Sequence, residues 1–380
     1  MNSRYLTYAY RVGYVLILCV LAVLVGCSGT SQKPTPSPLS PNAGLISVKQ
    51  VWTTSVGQVT SPLNVLMSEQ RIALANVAGA VIVLNASTGA QIWRAELGVA
   101  AATGVGYDGQ LAAVVTRNNE LVALESGREL WRQQLTAQSY TAPLVAGGRV
   151  FVLAADRSIS AYDGQSGRRL WSQQRPGEAL VLRQPGVLLA VADTLVIGLS
   201  GKLVGMNPLN GSVRWEAPIA SPRGTNDVER LVDLVGPVYR QGNAVCARAF
   251  QAAVGCADAN RGALIWSKPS PGAVGLSGDG QLIFGVETDG TIVAWRRLDG
   301  ERVWSEEKLR YRDLSAPLVV GQSVVVGDGA GLLHFLSADN GSLLARLNTD
   351  GSAIEAAPVW TGNTMVVVTG NGSIFGFRPE

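Results

Sequence analysis

The chain has 380 residues, enough for one large domain or two ordinary ones. Its 44 Gly and 17 Pro, with 16% charged residues, suit many short strands joined by tight turns; no long 3.6-residue periodicity follows the first 26 residues, which excludes a helical bundle. The formal net charge is only +3 and no basic stripe stands out, which excludes a nucleic-acid surface.

The first element is a leader. Arg4 and Arg11 precede an apolar run from Val12 to Val25, which ends at Gly26-Cys27. A basic stretch before a short apolar core reads as a secretory signal peptide, and the run is shorter than the roughly 20 apolar residues of a spanning helix. Without this leader, 29 basic residues face 28 acidic ones. Leu24-Val25-Gly26-Cys27 resembles the bacterial lipobox. The resemblance implies cleavage before Cys27, whose thiol accepts a diacylglycerol, and several acyl chains hold a protein stably on a membrane. Ser28 in the next position implies, by the same resemblance, onward sorting to the outer membrane. The competing reading is an ordinary signal peptide with a chance cysteine. Residues 28 to about 45, SGTSQKPTPSPLSPNAGL, are Pro/Ser-rich and predict an extended, disordered tether. The expected organisation is a signal peptide over 1–26, a tether over 27–46 and a folded body over 47–380.

The body repeats itself. Val81–Trp93, Leu121–Trp131, Ile159–Trp171, Leu203–Trp215, Val254–Trp266 and Ile292–Trp304 share one pattern, and Leu333–Ala345 is a degenerate copy with Ala in the tryptophan position. In each, a period-2 apolar strand meets a polar turn containing Gly, which supplies a positive φ, and a second strand carries Trp at a fixed offset. Two further strands lie upstream, as in Ala142–Ala146 and Arg149–Leu153. Four strands in about forty residues make one β-propeller blade. The outer-strand tryptophans are expected to pack between adjacent blades. Val48–Val56 is an outer strand with no three strands before it, and Ala357–Trp360, Thr364–Val368 and Ser373–Phe377 are three strands with no fourth. Pairing them closes an all-β ring of eight blades and leaves no open edge.

The run apolar-x-Ala-x-Asp/Asn-x-x-Thr/Ser-Gly-x-x-x-Trp resembles the repeat of the PQQ-dehydrogenase-like propellers. Two families use it. The lipobox, the single eight-bladed domain and the length are similar to the BamB family, lipoproteins of the outer-membrane β-barrel assembly machinery. That resemblance implies a non-catalytic scaffold without a cofactor or a metal. Its partners would be BamA and the machinery's other lipoproteins, and it would be a monomer within a hetero-complex, lipid-anchored on the periplasmic face of the outer membrane. The alternative family, the quinoprotein alcohol dehydrogenases, needs oxygen ligands for Ca²⁺, a catalytic Asp and usually a vicinal cysteine pair. The chain has no adjacent cysteines, one histidine, His334, and no His/Cys/Asp cluster at metal spacing. Asp163-Gly164, Asp289-Gly290 and Asp299-Gly300 read as turns. A third reading is a propeller for another envelope ligand, such as a polysaccharide.

Two blade intervals, Trp171 to Trp215 and Trp215 to Trp266, are longer than the others. The outer-to-inner connections Arg175–Arg183 and Ile219–Arg230 are therefore expected as neighbouring irregular loops on one face, where recognition tends to sit. Leu180-Val181-Leu182-Arg183 is similar to the Leu-x-Leu-Arg segment through which BamB-like proteins dock BamA, and Arg183 would pair with a partner carboxylate. The competing reading packs Leu180 and Leu182 inward. Glu229–Val235 resembles the family's neighbouring acidic patch: Asp233 matches one acidic position, whereas Val235 stands at the other. Finally, Cys246 and Cys256 flank a hairpin centred on residue 251, which places them opposite one another, either as a disulfide or as two small core residues.

Overall fold

The second and third strands of each repeat are apolar at nearly every position, as in Arg71–Ala75 and Ala80–Asn85, and are buried on both faces. The fourth strand, as in Gln91–Glu96, is mostly exposed. A short first strand such as Leu66–Ser68 completes an antiparallel sheet in the order A-B-C-D. The computed structural model describes residues 34–59, 65–177 and 180–379, and these form eight four-stranded sheets with no helix among them. The A strands of successive sheets lie against one another, so A is central and D is at the rim. The chain is an eight-bladed β-propeller, as the repeat predicts. Pro36–Glu380 is one compact unit. Of the other unit, Met1–Thr35, only Pro34 and Thr35 are described, so the leader and Cys27 lie outside the described residues.

The tryptophan repeat works at the rim. Gly89, Gly167, Gly211, Gly262, Gly300 and Gly341 have φ between +67° and +75°, and a Cβ on any of them would meet the ring or Cβ of Trp52, Trp131, Trp171, Trp215, Trp266 or Trp304 at 2.2–2.8 Å. Each ring belongs to one blade and each glycine to the C–D turn of the next. Several indoles also donate across that seam: Trp52 to the Ala86 carbonyl (3.1 Å), Trp131 to Gly164 (2.8 Å), Trp171 to Pro208 (3.0 Å), Trp266 to Arg297 (2.7 Å) and Trp304 to Ala338 (2.8 Å). The ring buries apolar area while its N–H finds an acceptor, the combination an indole needs. Next to each tryptophan the C–D pairing slips by a residue, for example between Val83 and Leu84 and between Ala294 and Trp295, which adds twist to the outer strand.

Blade 8 closes the ring. Val48–Ser55 pairs antiparallel with Ser373–Pro379, from Val48 opposite Pro379 to Ser55 opposite Ser373. Val366, Val368 and Ile374 of blade 8 share a core with Ile72, Leu74 and Ile82 of blade 1, and the Thr361 hydroxyl donates to the Glu69 carbonyl. Because the outer strand of blade 8 comes from the other end of the chain, this blade has no C–D turn and no glycine for a ring to stack on. That explains Ala345 in the tryptophan position of blade 7.

The expected disordered tether is corrected over its second half. The Ser37 amide donates to the Arg310 carbonyl (3.0 Å), and the Leu45 amide to Leu344 (2.8 Å). Arg312 and Arg346 donate to the carbonyls of Ser37 (3.2 Å) and Ser40 (2.9 Å). Asn42 clamps the main chain of Arg346 with one bond each way, 3.0 and 2.8 Å. Ile46 joins the core of blade 7 beside Phe335 and Ala345. Residues 37–46 thus form an extended strap along the rim of blade 7. Proline and serine impose the extended backbone, and main-chain bonds that composition does not announce hold it in place.

Candidate partner-binding surface

All D-to-A connections emerge on one face, together with the B–C turns. The connection from blade 3 to blade 4 runs between Arg169–Gln174 and Leu188–Val191, and the next runs between Val213–Pro218 and Leu234–Gln241. They are adjacent, and one arginine ties them together. Arg157 ends the B–C turn of blade 3 with φ +66° and is almost wholly buried. Its guanidinium bonds the Asp233 carboxylate at 2.9 Å and the Leu180 carbonyl at 3.1 Å. The other Asp233 oxygen accepts from the Leu182 amide at 3.1 Å. Farther along, the Gly186 amide donates to the Thr141 hydroxyl (3.0 Å), the Gly236 amide to the Pro185 carbonyl (2.9 Å), and Gly186 forms a bridge with Val235. The loop over 180–186 is therefore fixed at both ends, by bonds to blades 3 and 5.

This pinning decides which side chains face outward. Leu180 is 38% exposed, Arg183 is exposed, and Leu182 is half-buried. Arg183 makes no ion pair with another described residue. On the second connection Val228 stands out at 72% exposure, and the Glu229 carboxylate accepts from the Thr225 amide at 2.8 Å. That backbone bond holds the Glu229 carboxyl below its usual range, so this connection presents a stable negative charge. Below the loop is a cleft of about 50 Å³ lined by Tyr140, Leu153, Arg157, Leu182, Leu199 and Asp233. It has room for ordered water rather than a substrate.

The structure brings Leu180, Leu182, Arg183 and Asp233 together but gives Asp233 a different task. Its carboxylate is 15% exposed and committed to Arg157 and the Leu182 amide, so it shapes the loop rather than forming an outward acidic patch. Val235 is buried against Gly186, an environment suited to an apolar side chain. Sequence reasoning missed Arg157. It lies 76 residues from Asp233, and nothing in the spacing joins the two. Its one local signal is a non-glycine residue at positive φ, which sequence does not display.

Cys246 and Cys256 sit opposite one another on Ala244–Ala249 and Ala253–Asp258, with Cα atoms 4.0 Å apart and the sulfurs bonded. Among the described residues, no group of three or more His, Cys, Asp or Glu side chains is placed to hold a metal. No helix of the described residues is long and apolar enough to cross a membrane.

Eight blades, seven of them marked by an outer-strand tryptophan, and a ring closed by pairing Val48–Ser55 with Ser373–Pro379 define a propeller of the PQQ-like repeat class. A family model described as outer membrane protein assembly factor BamB matches residues 77–306. A relative from Burkholderia pseudomallei of that name is 36% identical, over 96% of this chain and 97% of the relative. The chain belongs to the BamB family of outer membrane protein assembly factors. Two solved structures share the fold: BamB from Moraxella catarrhalis, at TM-score 0.79 and 24% identity over 87% of this chain and all of that one, and quinohemoprotein alcohol dehydrogenase from Comamonas testosteroni, at TM-score 0.68 and 14% identity over 90% and 78%.

Proposed function

We propose that this chain is a non-catalytic scaffold of outer-membrane protein assembly, held at the periplasmic face of the outer membrane by acyl chains on Cys27. It docks BamA through Leu180, Leu182 and Arg183, and through BamA it joins the machinery's other lipoproteins. One observation carries the docking site. A short segment with an exposed leucine and an exposed arginine is immobilised by the Arg157–Asp233 pair before any partner arrives. Prior fixation lowers the ordering cost of binding, and loops on a rigid ring are suited to recognition. Leu180 supplies an apolar contact, and Arg183 supplies a charge-assisted bond to a carboxylate on BamA. Lipidation at Cys27 places this face where membrane-bound partners are concentrated. Replacing Leu182 and Arg183 together by Ala is expected to abolish co-purification with BamA from detergent-solubilised envelope while circular dichroism stays unchanged. Retained co-purification removes the docking assignment.

A further inference from the structure

The strap over 37–46 is held by a charge cluster whose centre is the chain's one histidine. His334 is fully buried on the C strand of blade 7. Its Nε2 is 3.0 Å from Asp328 Oδ2, and its Nδ1 lies 3.3 Å from Arg346 Nε. An arginine only donates, so Nδ1 accepts that bond, Nε2 carries the proton toward Asp328, and the imidazole in this arrangement is neutral. Asp328 Oδ2 also accepts from Arg312 Nε at 2.8 Å, and Asp328 Oδ1 accepts from the amides of Ala330 and Leu332, both at 2.9 Å. Arg312 and Arg346 are the two side chains that grip the strap carbonyls of Ser37 and Ser40. The strap itself, Ser37 to Ile46, has no ionisable side chain.

We propose that His334 is an acid-operated latch: its protonation releases residues 37–46 from blade 7. A second proton must sit on Nδ1, where it removes the acceptor that Arg346 uses and places a cation beside it. The groups facing the imidazole are then Arg346 from the D strand, Arg312 from the connection between blades 6 and 7, and Asp328 from the B–C turn, with one negative charge among three positive. Arg346 turns away and takes with it the bond from its guanidinium to the Ser40 carbonyl.

The protonation balance supports the direction. Burial outweighs the attraction of Asp328, and with Arg346 and Arg312 opposing a further positive charge, His334 titrates below its ordinary 6.5. Burial acts to raise Asp328, but bonds from His334, the Leu332 amide and Arg312 carry it down to about 2, so it stays ionised while the histidine titrates. The docked arrangement needs Nδ1 as an acceptor, so docking is complete while the ring is neutral and weakens as falling pH adds the second proton, below the ordinary histidine range. If Cys27 is the anchor, a reading on which this consequence rests, release adds the ten residues 37–46 to the stretch between the anchor and the ring.

Hydrogen exchange on the mature lipoprotein in detergent micelles tests the latch, read on peptides holding the Ser37 and Leu45 amides and corrected for intrinsic pH dependence. Protection is expected near neutral pH and is expected to fall at least about tenfold near pH 5. His334→Gln is expected to stay protected at both. Arg346→Ala, on the outer strand, is expected to lose protection at both, while peptides from blades 1 to 6 report an intact ring. Equal protection of the wild type at the two pH values overturns the proposal. So does a pH response that persists in His334→Gln, or strap protection that survives in Arg346→Ala. The intact mass of the same sample reports acylation of Cys27, so failure of the anchor reading is seen separately.

Discussion

Two irregular segments lie on the ring, and the same device holds both. Over 180–186, Arg157 bonds a main-chain carbonyl while paired to Asp233; over 37–46, Arg312 bonds a main-chain carbonyl while paired to Asp328. An arginine fork suits this work, because one face satisfies a carboxylate while another donor reaches a backbone oxygen. The difference lies in what else touches the aspartate. Asp233 bonds the amide of the loop it positions, whereas Asp328 bonds His334, which links it to a second strap-holding arginine. The first arrangement gives permanent shape; the second is subject to titration.

The largest expected effect comes from breaking the first pair. Arg157→Ala leaves Asp233 largely buried without its cation and should lower unfolding stability by about 3 kcal/mol, read as a shifted denaturant midpoint at constant slope. It should also abolish BamA co-purification although it touches neither Leu182 nor Arg183. Arg312→Ala is milder, because Asp328 keeps His334: about 1 kcal/mol is expected, with faster exchange of the strap amides and unchanged exchange at Leu182 and Gly186. Acidification sharpens the contrast without mutation. Near pH 5 the strap amides should lose protection, while Leu182 and Gly186, whose acceptors are Asp233 and Thr141, keep theirs. The smallest effect is set by a rim charge in neither device. The hydrogen bond from Lys202, helped by the charges of Lys202 and Arg175, holds the Glu216 carboxyl below its usual range, but the side chains of Lys202, Glu216 and Arg175 are 48%, 34% and 27% exposed. Glu216→Gln should therefore change stability by less than about 1 kcal/mol.

What could be read in the sequence follows from distance along the chain. Six of the outer-strand tryptophans pack on a glycine turn one repeat later, so a single periodic pattern records both partners, and the count of blades and their closure follow from it. The Cys246–Cys256 register was equally legible, because a hairpin's symmetry fixes it. The two arginine devices were not. Arg157 and Asp233 meet only after three blades have folded, and the strap is held through its backbone oxygens, which every residue carries. Asp233 was singled out for its charge, yet charge alone does not say whether a carboxylate faces a partner or the loop beside it. Ala345 read as decay of the repeat, and only the missing C–D turn of blade 8 gives it a reason.

The central claim is that a pinned loop, with Arg183 at its exposed end, is the docking surface. Binding of purified periplasmic domains of BamA to this protein and to Arg183→Glu, measured side by side at moderate salt, tests it most directly. Affinity should fall at least about tenfold in the variant, whose circular dichroism and melting temperature match the wild type. Equal affinity in the two proteins would contradict the assignment.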